Sequence, residues 1–526
     1  MDFLRLLPGL LFESIHVLGL FVLVPIIILF ISSAKSYYHL SHIPGPFLAR
    51  FTNLPRLLWV KSFRAHKIHI DLHKKYGPIV RFGPNMVSVG DPREIGTIYS
   101  FKKPWSKTQS DFYRSLLLKT RSKPVEGIFA TQNEAIHRAL KRPISNVYSM
   151  SHLVSFEPYV NTAMDVFCEQ LENRFSRTEN GREKTIPCDF GQWLQMFAFD
   201  VMGELTFSHR FGFMEKGEDI DGVMAELWST LQKTALVTQM PWLGDIWTNN
   251  PILRLFRKNI QSPGVIFAMR RVQERRKIEK GELQKEWKIN SRDMLSRFME
   301  VEANDPAVPP FALLVWTSSN ITAGSDSTAM FLRAMFYYLL HNPGTLKRLV
   351  SEFDEAADAG NLDELAGFRQ AKDLPYFNAC INEAGRMHPP LGLPMERVVP
   401  PEGATVCGQR LEGGTVVGMS SWVTHHHKAT FGDDCDKWRP ERWLCEPEHA
   451  KYMEKCLLTF GAGHRNCIGK NIALLEIYKV VPTLLRRFQF ELLDPDEGGD
   501  WVVMNRWFVT QRGFKVRLRR RVYPIK

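Results

Sequence analysis

Residues 460–469 read Phe460-Gly461-Ala462-Gly463-His464-Arg465-Asn466-Cys467-Ile468-Gly469, and a helical pattern beginning Asn471-Ile472-Ala473-Leu474-Leu475 follows at once. A thiol just before a helix sits near unpaired backbone N–H groups and the positive end of the helix dipole, both of which favour thiolate over thiol. The glycines let the backbone approach something flat and bulky, because no Cβ stands in the way. Arg465 offers a planar donor fork suited to a carboxylate. A free cysteine is ordinarily a small buried hydrophobe. Here five fixed positions are met together, which chance supplies on the order of a few times in ten million windows.

Thiolate, close backbone and guanidinium describe the proximal ligand loop of a haem. The pattern F-x-x-G-x-R-x-C-x-G resembles the signature of the cytochrome P-450 superfamily, the haem-thiolate monooxygenases. The resemblance implies haem (iron protoporphyrin IX) with Cys467 as axial ligand and with Phe460 and Arg465 at the cofactor. A zinc reading of Cys445, Cys456, His464 and Cys467 finds no compact ligand spacing.

Upstream, Pro309-Pro310 opens a helical pattern running from Phe311 through Leu340, and Ala323-Gly324-Ser325-Asp326-Ser327-Thr328 lies inside it. Gly324 costs a helix roughly 1 kcal/mol relative to Ala. A missing side chain makes room for a diatomic, and a hydroxyl beside an acid forms a proton relay. The segment resembles the family's A-G-x-D/E-T-T/S, which implies Asp326 and Ser327 as the catalytic pair. Serine in place of the usual threonine keeps the hydroxyl and loses the methyl that restricts its rotamer.

Glu383 and Arg386 stand three apart on a helix and can pair in a bidentate manner. With Trp438-Arg439-Pro440-Glu441-Arg442-Trp443 downstream, they resemble the family's structural brace, in which Arg442 joins the pair. His137 and Lys141, four apart on one helix face, match positions that reach a haem propionate in many relatives, and Arg397 matches another. The triple His425-His426-His427 is expected in a strand, where neighbours point to opposite faces and cannot converge on one ion. His425 matches a position that in some relatives meets the haem rim.

Ile15 to Ala34 carries no charge and is just long enough to span a bilayer. Lys35, Arg50, Arg56 and Lys61 follow it, against Asp2, Arg5 and Glu13 before, which places the bulk of the chain in the cytoplasm. Ile43-Pro44-Gly45-Pro46 is a stiff, non-helical hinge, and the runs Ile79–Pro84 and Met86–Val89 are expected strands. The organisation expected is an anchor over 1–34, a proline-rich hinge over 35–50 and one catalytic domain over 51–526. The fold class is mainly α with small β-sheets, the cytochrome P-450 fold, behind one N-terminal transmembrane helix. Among 526 residues the formal charge is +12, but Lys and Arg are spread along the chain, so nucleic acid is excluded as a partner. Eight cysteines without a framework spacing point to a reducing compartment.

The resemblance implies a single-pass protein of the endoplasmic reticulum membrane, of the type found in filamentous-fungal secondary metabolism. It receives electrons from NADPH-cytochrome P-450 reductase, with cytochrome b5 as a second donor, and inserts oxygen from O2 into a hydrophobic small molecule. The rivals are a reductase-independent isomerase or peroxygenase and a non-catalytic haem protein.

Overall fold

The computed structural model describes residues 37–521 except 108–109, 120–123, 180–181, 243–249, 251–262, 284–292, 498 and 500, together with Ile27 and Ala34. The expected anchor, 15–34, lies outside the described residues apart from those two positions. No helix among the described residues is long and apolar enough to cross a membrane.

The chain is mainly helical. Helices α1 (Leu54–Lys61) and α2 (Ala65–Tyr76) precede a hairpin of β1 (Ile79–Gly83) and β2 (Met86–Val89). Then come α3 (Glu134–Lys141), α4 (Glu157–Phe175), α5 (Phe190–Phe207) and α6 (Val223–Gln239). A long central rod consists of α7 (Ala312–Ser319), a π-helical turn over Asn320–Gly324, and α8 (Ser325–His341). Helix α9 (Pro375–Met387), strands β3 (Met395–Val398) and β4 (Val416–Met419), and α10 (Lys470–Arg487) complete the frame. The sheet order is β1-β2-β4-β3, with β2 and β4 parallel and the outer pairs antiparallel.

Helix α5 is apolar around most of its circumference, as a helix packed on several sides must be. Asp189 caps it by accepting from the Gln192 N–H, and Ser208 ends it in the left-handed conformation. Phe197 of α5 stacks on Phe167 of α4 at 4.9 Å between ring centres, and Trp316 of α7 is wholly buried in the same core. Burying one such side chain contributes roughly 1.5–3 kcal/mol.

Two expectations need correction. The pattern 311–340 is not one continuous α-helix, because the Asn320–Gly324 turn interrupts it, the kind of bulge often found at functional sites. The three histidines at 425–427 are not in a strand; a helical turn over Ser421–Thr424 runs directly into them.

Residues 43–50 lie against the sheet. The Arg81 N–H donates to Pro44 O at 2.7 Å, and a Cβ on Gly45 would overlap the Arg81 carbonyl. The buried Arg81 guanidinium donates to the carbonyls of Tyr37 (3.2 Å), Arg50 (3.2 Å) and Pro84 (2.7 Å).

Candidate functional site

A cavity of about 740 Å³ lies between the 460–469 loop and the central rod. Phe460, Gly461, Cys467 and Gly469 form one wall, and Gly324, Ser327 and Thr328 line it from the rod. The loop is closed by Cys467 N–H donating to Phe460 O at 2.8 Å. Gly461 and Gly463 have φ of +69° and +68°, the region where a side chain is strained, and a Cβ at 463 would overlap the carbonyl of Tyr99. Loop curvature accounts for both glycines, and close approach of the Tyr99 carbonyl accounts in addition for Gly463.

Cys467 is exposed and lines this cavity. The N–H groups of Gly469 and Lys470 and the ammoniums of Lys141 and Lys470 do favour its thiolate, as the sequence implied. Desolvation by the surrounding protein outweighs them and holds the thiol above its ordinary pKa.

Lys107 and Arg465 line the cavity, and Arg397, outside the lining, lies within electrostatic reach of both. Lys107 is buried, its ammonium 2.6 Å from Phe129 O and 3.9 Å from the centre of the Tyr113 ring. Burial, then Arg397 and Arg465, push its pKa well below the ordinary value, and Glu134 opposes them. Arg465 donates to Ile128 O, Thr131 O and Glu134 Oε1, while its buried Nε has no partner among the described residues. Arg397 donates to Tyr113 Oη at 3.2 Å and to Glu396 O at 2.7 Å. Burial would raise Glu134, but hydrogen bonds from His464 and Arg465 hold it at about 2. The other carboxylate nearby, Glu396, is taken by Arg56 at 2.7 Å and Ser110 at 2.5 Å. Two guanidiniums and a buried lysine share Glu134, which His464 and Arg465 already engage, and a guanidinium N–H among them lacks a partner among the described residues, so the group fits a ligand that brings its own carboxylates.

His137 lines the cavity and is buried, 3.8 Å from Glu134, and burial lowers its pKa to about 3. Lys141 is placed elsewhere. Its ammonium binds His464 O at 2.8 Å, Asn466 O at 3.0 Å and Asn466 Oδ1 at 2.9 Å, so it is committed to the cysteine loop itself.

On the rod, Gly324 borders the cavity with its backbone, but the direction a Cβ would take points at Met202 of α5, with Sδ at 3.0 Å. The missing side chain lets two helices pack closely. Ser327 borders the cavity, its hydroxyl bonded back to Ala323 O at 2.8 Å. Asp326 is buried against α5, where Gln195 Nε2 donates to its Oδ1 at 2.5 Å, and burial raises its pKa to about 6. The acid and the hydroxyl expected as a pair therefore have separate partners.

Away from the cavity, Glu383 and Arg386 form a two-bond pair, Nε and Nη2 each 2.8 Å from a carboxylate oxygen. Arg442 Nε, Trp443 Nε1 and the Arg439 N–H donate to the same carboxylate. Arg386 also binds the carbonyls of His425 and Cys435. His425 is wholly buried and neutral, its pKa lowered by burial to about 3. Its Nδ1–H meets Arg386 O at 3.1 Å and its Nε2 accepts from the Leu458 N–H at 2.8 Å. Thr459 Oγ1 donates to Gly385 O. The brace thus grips the loop two residues before Phe460.

Sequence reasoning missed Lys107, Tyr113, Glu134 and Gln195. Lys107 is one lysine of the run Lys102-Lys103-Pro104-Trp105-Ser106-Lys107, and Gln195 is one of a few polar residues in an apolar helix; neither belongs to a motif. Among the described residues, Glu134, His137 and His464 are the grouping with the spacing to hold a metal ion, and it contains none of the cysteines.

The family model described as Cytochrome P450 matches residues 44–511. The chain is 61% identical over 473 residues to a "Cytochrome P450 monooxygenase" of Aspergillus terreus, a match covering 90% of this chain and 94% of that one. It is 47% identical to cytochrome P450 monooxygenase cicH of Emericella nidulans, covering 92% and 94%. To cytochrome P450 monooxygenase pkfB of the same organism it is 45% identical, covering 92% of each.

Proposed function

This chain belongs to the cytochrome P450 family and is a haem-thiolate monooxygenase, and from that premise we propose that it inserts one oxygen atom from O2 into an apolar small molecule of secondary metabolism held between α6 and the central rod. The carrying observation is the single cavity that has Cys467 on one wall and the Gly324–Ser327 turn on another. Cys467 would ligate the haem iron, with Phe460 beside it. Lys107, Arg465 and Arg397 would hold the two propionates, His137 would line the haem site, and Lys141 would fix the loop through its bonds to His464 and Asn466. Bound there, haem supplies oxygen activation and transfer to an unactivated C–H bond, and the thiolate favours O–O cleavage.

The chain's own residues bind, orient and manage protons. Leu227, Leu231, Leu391, Trp507 and Phe508 give the cavity an apolar lining. Glu226, Thr230 and Thr234, at successive i+4 spacing on α6, turn polar groups into it, and no hydrogen bond ties them to the described residues. That combination suits a ring scaffold carrying hydroxyl donors and disfavours an anionic end near Glu226. Asp326 and Ser327 serve proton delivery, Asp326 as the titrating acid and Ser327 as the hydroxyl at the cavity. Glu383, Arg386 and Arg442 are structural.

We also propose that residues 1–34 anchor the protein once in the endoplasmic reticulum membrane, with 35–50 as connector and 51–526 as one cytoplasmic catalytic domain. Electrons come from NADPH-cytochrome P-450 reductase, with cytochrome b5 as a second donor. The support is the uncharged stretch 15–34 and its more positive downstream flank.

The test is the reduced, carbon-monoxide-treated spectrum. The wild type shows a red-shifted Soret band, Cys467→Ser abolishes it, and Cys456→Ser keeps it. An unshifted band, or the reverse pattern in the two variants, overturns the assignment of Cys467.

A further inference from the structure

Asp326 and Arg333 stand seven residues apart on α8, two turns along one face, and both turn toward α5. Side chains three or four apart are the ones that pair directly on a helix, whereas this acid and guanidinium reach toward each other only on the α5 side. Here a carboxamide stands between them. Gln195 Nε2 donates to Asp326 Oδ1 at 2.5 Å, and Gln195 Oε1 accepts from Arg333 Nη2 at 2.8 Å. Arg333 is held in place by its Nε donating to Gly191 O at 2.7 Å. The guanidinium has donors only, so the amide oxygen must face it and the amide nitrogen must face the carboxylate. Asp326 Oδ2 has no hydrogen bond among the described residues.

We propose that Gln195 is a positioning residue for the oxygen chemistry: its carboxamide keeps Asp326 from pairing directly with Arg333 and so keeps that acid able to take up and release a proton. The proposal rests on the reading of Asp326 as the proton-delivering acid. A direct pair with Arg333 would fix the carboxylate as an anion across the working pH range. Through the amide, Arg333 still acts at a distance, and Gln195 still bonds the charged form. Both are outweighed by burial, and the acid sits near 6. Asp219 adds a small push upward, and Asp189 faces Arg333 from the start of α5. In each cycle Asp326 loses one proton toward the cavity and recovers one from solvent, with no net change in the residue.

The experiment uses the full chain loaded with haem, and infrared titration of the Asp326 carboxyl band, assigned by its loss in Asp326→Asn. The wild type titrates near pH 6. Gln195→Leu removes the spacer, the acid meets Arg333, and the midpoint falls by at least one pH unit. Gln195→Met serves the same purpose should the leucine variant fail to fold. An unchanged or raised midpoint shows that Gln195 is no spacer and overturns the proposal.

A second readout is the pH profile of NADPH consumption with added reductase. Its acid limb follows the infrared midpoint downward in Gln195→Leu. If Asp326→Asn leaves the profile unchanged, the reading of Asp326 itself fails. If Asp326→Asn alters the profile while Gln195→Leu does not, only the role of Gln195 fails.

Discussion

Replacing Glu383 by glutamine strikes the brace where most of its bonds converge. The carboxylate accepts from both nitrogens of the Arg386 fork, from Arg442 Nε, from Trp443 Nε1 and from the Arg439 N–H. It, Arg386 and Arg442 are all buried. A glutamine of the same shape keeps one acceptor oxygen, presents an N–H where at least one donor now arrives, and leaves the Arg386 guanidinium without a counter-charge and Arg442 with Asp434 alone. Removing one partner of a buried pair costs about 3–5 kcal/mol, a large share of the about 5–15 kcal/mol that holds a domain folded. Because Arg386 O and Gly385 O also hold His425 and Thr459 beside the cysteine loop, haem retention should fall with stability. The assay is urea denaturation followed by tryptophan fluorescence and, separately, by the Soret band. Glu383→Gln lowers both midpoints, whereas Glu497→Gln, which removes the exposed partner of Arg517, changes neither. A loss below about 1 kcal/mol would refute the view that this network carries the loop.

Acid should destabilise the protein through the buried histidines of α2 and its neighbours. His66 and His69 are lowered to about 3, and His73 and His388 to about 4, in each case chiefly by burial. The unfolded chain takes these protons near 6.5, so stability is whole above that pH and is lost as pH falls toward 4. Each group costs about 1.4 kcal/mol per pH unit in that window, which urea midpoints at pH 7, 6 and 5 will read. Lys107→Met removes a buried cation proposed to meet a propionate, and haem transfer to apomyoglobin should quicken roughly tenfold or more, as loss of a charged hydrogen bond implies. Gly463→Ala places a Cβ on the Tyr99 carbonyl at positive φ, and should yield protein without a red-shifted carbon-monoxide band.

The parts of the site visible in the sequence are those whose chemistry is local. The glycines around Cys467 show their spacing directly, but the sequence assigned them to a flat ligand, whereas the close approach at 463 is to the Tyr99 carbonyl. Glu383, Arg386 and Arg442 were legible because a helix spacing and a second motif fall in order before the loop. Other features depend on packing that no linear pattern carries. The thiol's desolvation arises from protein closing around it, and Lys107 gains its meaning only when folded beside Arg397 and Arg465. Gln195 meets Asp326 across 131 positions of chain. Asp326 and Ser327 are adjacent in sequence, but successive helical residues point about 100° apart, so neighbours in the chain face different surroundings.

The Arg81 clamp has a mechanical consequence. One side chain, still protonated at neutral pH although burial lowers it to about 10, gathers carbonyls from residue 37, residue 50 and the β-hairpin. The segment leading into the enzyme is therefore a mount and not a leash. Any torque applied at residue 37 passes into β1 and on through the four-stranded sheet, so the heading of the cavity mouth is set by whatever holds the chain ahead of that residue.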